Sequence, residues 1–136
     1  QGVTHIIGSH PHVIQPMELR TDSITGAQHA VVYSLGNFIS NMSKVNTDGG
    51  LIFTLELERD TTTSTSTQVR VQRCEYNLVW TARPNLTKEK NYVLYPTDST
   101  SISKLPEAAR NHLNIFVKNS RKLLQQHNVG IKENKK

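Results

Sequence analysis

Two histidines separated by one proline, His10-Pro11-His12, are the residues of this 136-residue sequence best suited to chemistry. A His-x-His pair in an extended loop can aim both imidazoles at one region. Pro11, with its fixed φ, removes much of the slack between them. Neutral imidazole is a common ligand of zinc, manganese and iron. Two histidines do not complete such a site, so further ligands must come from elsewhere. The competing reading is a pair of surface histidines on a proline-stiffened loop, because short histidine motifs recur by chance.

A second loop, Ser34-Leu35-Gly36-Asn37-Phe38, holds a different set of groups. Gly36 permits a tight turn or a close backbone approach to an anion. Asn37 could orient a ligand or a water, or simply close a strand-ending turn through an Asx bond. Elsewhere, His5 and His29 flank strand-like runs and are expected to be satisfied by hydrogen bonds. His112 and His127 fall on a helix and are expected in solvent. Cys74, the single cysteine, lies in a strand-like run and reads as a small apolar residue. No Ser-His-Asp order and no P-loop pattern is present, so those mechanisms drop out.

The elements that must position these loops follow from periodicity. Thr4–Gly8 (THIIG) predicts a short buried strand that ends in the histidine loop, with Val13 and Ile14 a brief extended stretch. Residues 20–28 are turn-like, with Gly26 the left-handed position. His29–Ser34 (HAVVYS) predicts a second strand leading into Leu35-Gly36-Asn37. In open α/β sheets ligands gather outside the carboxyl ends of strands, which is where both loops fall. Residues 41–50 read as a polar loop closed by Gly49-Gly50. Leu51–Glu58 alternates, with Ile52 and Thr54 facing one way and Phe53, Leu55 and Leu57 the other, the pattern of a half-buried antiparallel strand. Asp60–Gln68 (DTTTSTSTQ) reads as an exposed hairpin tip, Val69–Val79 as the partner strand, and Tyr92–Tyr95 as a short edge strand.

A long helix is predicted over 103–130, with Ser103 as N-cap, Pro106 in its first turn and Glu107 favourable to the dipole. Leu105, Ala109, Leu113, Phe116 and Leu123 or Leu124 mark its apolar face, and Gly130 stops it. This helix is expected to dock on the sheet, with 131–136 a frayed basic tail.

Composition bounds the function. The formal charge is +5, but residues 104–136 hold eight Lys/Arg against two acidic groups, and the first 103 hold eight against nine. The excess therefore sits on one helix and the tail rather than on a uniform basic face, which argues against nucleic-acid binding. No apolar run approaches the roughly 20 residues needed to span a bilayer. The length suits one compact domain. The chain opens on Gln1 without an initiator Met, as an excerpt or a processed product would, so a removed targeting segment stays open.

Ile6–Pro16 (IIGSHPHVIQP) resembles the G-x-H-P-H-V-x-Q motif of CapA-like, poly-γ-glutamate capsule biosynthesis proteins, and Val32–Ile39 (VYSLGNFI) resembles their Y-S-L-G-N-F signature, in the same order. Cys74–Pro84 (CEYNLVWTARP) looks like the tail of such proteins. The resemblance implies membership of the calcineurin-like metallophosphoesterases, whose fold is a two-sheet sandwich flanked by helices. The 136 residues would then be a single incomplete domain. It would be the carboxy-terminal portion of that α/β fold, α+β within this excerpt, with mixed and antiparallel strands and one long C-terminal helix. His10 and His12 would occupy the two histidine ligand positions of a dinuclear centre. Ser9 stands where many relatives have histidine. Gly36 and Asn37 would lie near the site rather than in the ligand set.

The family's amino-terminal motifs, which supply the other metal ligands, have no counterpart in the sequence. Divalent manganese, iron or zinc is thus implied for the intact parent and is expected to bind weakly, or not at all, to this chain alone. The implied function is capsular polymer biosynthesis at the extracytoplasmic face or cell envelope of a bacterium, with the parent a metal-dependent hydrolase of a phosphoester or anionic polymer. The alternative is a non-catalytic envelope scaffold that holds such a polymer. The other expected partners are the missing amino-terminal half and, through an open sheet edge, a second copy of the chain by dimerisation or strand exchange.

Overall fold

The computed structural model describes residues 3–59, 69–98 and 100–134. The hairpin tip expected at 60–68 and the last two residues of the tail lie outside the described residues. The chain is of mixed α+β class, with two mixed sheets and one long helix.

The first sheet takes in β1 (Ile6–Ile7), β2 (Met17–Thr21) and β3 (Gln28–Val32), in the order β1-β3-β2. β1 runs parallel to β3 with Ile6 opposite Val31, and β2 runs antiparallel with Met17 opposite Val32. The hairpin between β2 and β3 turns at Gly26, φ +71°, as its sequence predicts. Asp22 accepts hydrogen bonds from the backbone N–H groups of Ile24 and Thr25 in that turn. These bonds, led by those from Thr25, hold the Asp22 carboxyl below its ordinary range.

The second sheet is built on β4 (Gly49–Arg59) and β5 (Val69–Ala82), an antiparallel pair. The other edge of β5 takes β6 (Val93–Pro96) antiparallel and β7 (Lys132–Glu133) parallel. Tyr76, Leu78, Trp80 and Ala82 share one face of β5 through the period of two, and all are buried. Against them lies the stripe of α2 (Glu107–His127): Ala109, Leu113, Phe116 and Leu124, with Ser120 in the same row. Leu105 joins this core, as do Met17 and Val32 of the first sheet, so the two sheets share one core. A one-turn helix α1 (Pro84–Thr87) follows β5.

Four expectations change. Ile6 and Ile7, read as a buried strand, are 52% and 55% exposed at the edge of the first sheet. β-branched apolar residues specify extended backbone, but burial needs a covering layer, and none is present among the described residues. Gly49-Gly50 opens β4 rather than closing a loop. α2 begins after Pro106, its N-cap, and not at Ser103, whose hydroxyl instead donates to the Thr100 carbonyl at 2.8 Å within a 3₁₀ turn, Thr100–Lys104. Proline disfavours helical backbone at the residue before it, so the helix cannot run through Leu105.

Finally, Ile131–Asn134 is no frayed tail. After α2 the chain pairs Val129 with β2, buries Ile131 and adds β7 to β5, while Glu133 accepts a bidentate pair of hydrogen bonds from Arg121 at 2.7 and 2.9 Å. One apolar residue among polar ones carries no periodic signal, so its burial is visible only in the packed chain.

Candidate functional site

Both stems of the histidine loop pair with the same short segment. The N–H of Gly8 donates to the Val32 carbonyl at 2.8 Å, and Leu35 N–H donates back to the Gly8 carbonyl at 3.0 Å. On the other stem Ile14 bridges Leu35, and Gln15 N–H donates to the Ser34 carbonyl at 3.1 Å. Residues 9–13 therefore form a closed loop at the carboxyl end of β1, rooted on Ser34 and Leu35. Gly8 permits this approach, because a Cβ there would lie 2.5 Å from the Tyr33 carbonyl oxygen.

The Leu35-Gly36-Asn37 turn is held from below by β4. Gly36 bridges Gly50, Asn37 N–H donates to the Gly49 carbonyl at 3.0 Å, and Leu51 N–H donates to the Leu35 carbonyl at 2.9 Å. Gly36 sits at φ +76°, and any Cβ on it would stand 2.9 Å from the Gly49 carbonyl oxygen. A glycine is required there on both counts.

Of the residues singled out from sequence, four meet across these two loops. Ser9 Oγ donates to the Gly36 carbonyl at 3.3 Å. His12 Nδ1 lies 2.9 Å from Asn37 Oδ1. His12 also takes a left-handed backbone, φ +60°, a strained choice for a residue with a side chain. His10 is exposed and makes no hydrogen bond to a described residue. A small cavity of about 220 Å³ opens beside Ser9, Gly36, Asn37 and Phe38. A larger groove of about 570 Å³ lies between Val13–Pro16 and the Asn119–Gln126 face of α2.

The remaining histidines sit apart from the pair. His5 Nδ1 accepts from Ala30 N–H at 3.2 Å, and His29 Nδ1 donates to the Thr4 carbonyl at 3.3 Å, so backbone satisfies both. His112 stands 3.9 Å from a carboxylate oxygen of Asp48. Cys74 is partly buried against the core, and burial pushes its thiol above the ordinary range, away from the reactive thiolate.

Sequence reading missed the polar loop at 41–50 as a contributor. Thr47 accepts a hydrogen bond from Asn37 Nδ2 at its carbonyl, and Asp48, almost fully buried, accepts one from the Trp80 indole at 3.0 Å. The only available signal was Thr47-Asp48 directly before Gly49-Gly50, which fits an ordinary turn equally well. Arg83 was missed too: it is nearly buried, and its Nε has no hydrogen-bond partner.

The donor chemistry of the loop fits a divalent metal, since imidazole nitrogen suits zinc, manganese and iron. The donor count does not close a site: no group of three or more His, Cys, Asp or Glu is gathered among the described residues. No helix among the described residues is long and apolar enough to cross a membrane. No curated protein and no solved structure matches the chain. Residues 1–42, which hold both loops, match the family described as Bacterial capsule synthesis protein PGA_cap, and this supports a capsule-synthesis relationship for the segment that carries the site.

Proposed function

We propose that this protein acts in capsule synthesis at the bacterial cell envelope, with His10 and His12 as two ligands of a divalent-metal hydrolytic centre. The observation that carries this reading is the coincidence of the family match, residues 1–42, with the His10-Pro11-His12 loop, which Ser9 and His12 tie to the Leu35-Gly36-Asn37 turn. Further ligands would come from the amino-terminal half of the parent domain, as in calcineurin-like phosphoesterases. A divalent metal bound there supplies Lewis acidity and lowers the pKa of a coordinated water. The residues of this chain bind and orient: His10 and His12 donate, Pro11 limits their separation, and Gly36 and Asn37 hold the floor of the site. The substrate class is a phosphoester or an anionic polymer such as poly-γ-glutamate.

Elemental analysis of the intact parent protein, which holds the further ligands, beside its His10→Ala/His12→Ala double variant tests the reading. Stoichiometric manganese, iron or zinc that is lost in the variant is the expected result. Little metal in either protein after reconstitution would defeat it.

A second reading, a scaffold that holds an anionic polymer without cleaving it, is favoured by the exposed Lys104, Lys118, Lys122 and Lys132 on and beside α2. Salt-sensitive binding of the polymer in the presence of a chelator would support that reading.

A further inference from the structure

We propose that Asn37 is a positioning residue: it holds neutral His12 in the Nδ1–H tautomer and leaves the Nε2 lone pair free as the donor. The tautomer follows from geometry in this chain. The value of that lone pair to a metal rests on the reading above.

Asn37 is 8% exposed, and its amide can adopt one orientation only. The Thr47 carbonyl oxygen lies 2.7 Å from Nδ2, and a carbonyl accepts but cannot donate, so the NH₂ group must face Thr47. A second N–H of the same group points at Met42 Sδ, 3.5 Å away. That leaves Oδ1, again an acceptor only, 2.9 Å from His12 Nδ1. The proton of neutral His12 must then reside on Nδ1, and Nε2 carries the lone pair. Free histidine side chains in water favour the opposite tautomer, so the protein imposes this one.

The backbone holds the amide in place. Asn37 N–H donates to the Gly49 carbonyl at 3.0 Å, and the Gly36 turn beneath it has no room for a Cβ. The strained φ of His12 becomes intelligible as the conformation that brings Nδ1 to this acceptor. Ligating histidines commonly have their second ring nitrogen held by such a partner, and losing the partner weakens metal binding by about 10–100-fold. His10 has no equivalent bond to a described residue, so the two histidines differ: one is oriented in advance and the other is not.

Long-range ¹H–¹⁵N correlation spectra of the full chain, labelled at histidine and recorded metal-free where histidine is neutral, read the tautomer directly. The expected spectrum shows His12 protonated at Nδ1. Asn37→Ala should revert His12 towards the Nε2–H form. Asn37→Asp keeps an acceptor for Nδ1 at the cost of the bond to Thr47, so His12 should keep a proton on Nδ1. Titration with zinc ion alone should shift His12 Nε2, with affinity about 10–100-fold weaker in Asn37→Ala. A His12 found as Nε2–H in the unsubstituted chain overturns the proposal without any variant needing to fold. A native Nδ1–H tautomer with no zinc-induced shift at His10 or His12 in the intact parent protein would instead overturn the metal reading, and with it the ligand role given to Nε2.

Discussion

The first sheet and the second bury very different things. β1 lies at an open edge with both isoleucines more than half exposed, and the loop after it carries exposed histidines and a strained backbone. β4, β5 and α2 enclose Trp80 and Phe116 at 0% and 1% exposure, in a core that also takes Met17 and Val32 from the first sheet. Beyond that shared core, backbone hydrogen bonds and bridges join the regions at Leu35–Asn37 against Gly49–Leu51 and at Val129 against β2. The residues fit for chemistry thus sit where little apolar area stabilises them, and their geometry depends on a neighbour that carries the core.

That dependence can be broken from the core side first. Trp80→Ala or Phe116→Ala should cost about 3–5 kcal/mol, read as a lower urea midpoint, because each leaves a large cavity where the two sheets and α2 meet. The joint is the next test. Gly50→Ala would place a Cβ 2.5 Å from the Asn37 carbonyl oxygen and 2.7 Å from that of Leu35. A loss of about 2 kcal/mol is expected, together with a change in the His12 ring resonances, although residue 50 lies outside the histidine loop. A stability loss with unchanged His12 resonances would show that the site does not depend on this joint.

A pH measurement isolates the core in another way. Burial pushes the Tyr76 phenol up to about 12, with the nearby Glu133 charge adding to the shift and Arg121 opposing it. The folded value exceeds the unfolded value near 10, so the stability from a neutral Tyr76 is complete below pH 10 and is lost as pH rises through about 12. Unfolding should therefore set in over that window, with one of the four tyrosines ionising late, and Tyr76→Phe should move the onset to higher pH. The smallest effect belongs to the site itself. The His10→Ala/His12→Ala variant should unfold within about 0.5 kcal/mol of the parent chain, since both side chains are exposed. A larger loss would mean that the His12–Asn37 bond holds the loops together as well as orienting the ring.

Some of this was legible beforehand. The stripe Ala109, Leu113, Phe116, Leu124 is set by the 3.6-residue period. The alternation in Leu51–Glu58 marks a strand, but only Leu51 and Phe53 reach the core, and Leu57, expected on the same face as Phe53, is exposed. Both loops were identifiable as site candidates from residue type alone. The pairing of His12 with Asn37, 25 positions apart, was not, nor was the fixing of that amide by Thr47 from a third loop. The burial of Ile131 and the exposure of Ile6 were equally hidden, because each depends on what lies beside it in space.

By itself, then, the sequence determined most of the strands and the long helix, the helix face and the donors on offer, but not β2, α1 or β7, since only the former follow from local backbone preference and side-chain chemistry. Only the tertiary structure decided which donor is oriented, through which atom, and which apolar residues are covered. Such properties arise where segments distant in the chain meet, and no local period encodes that meeting.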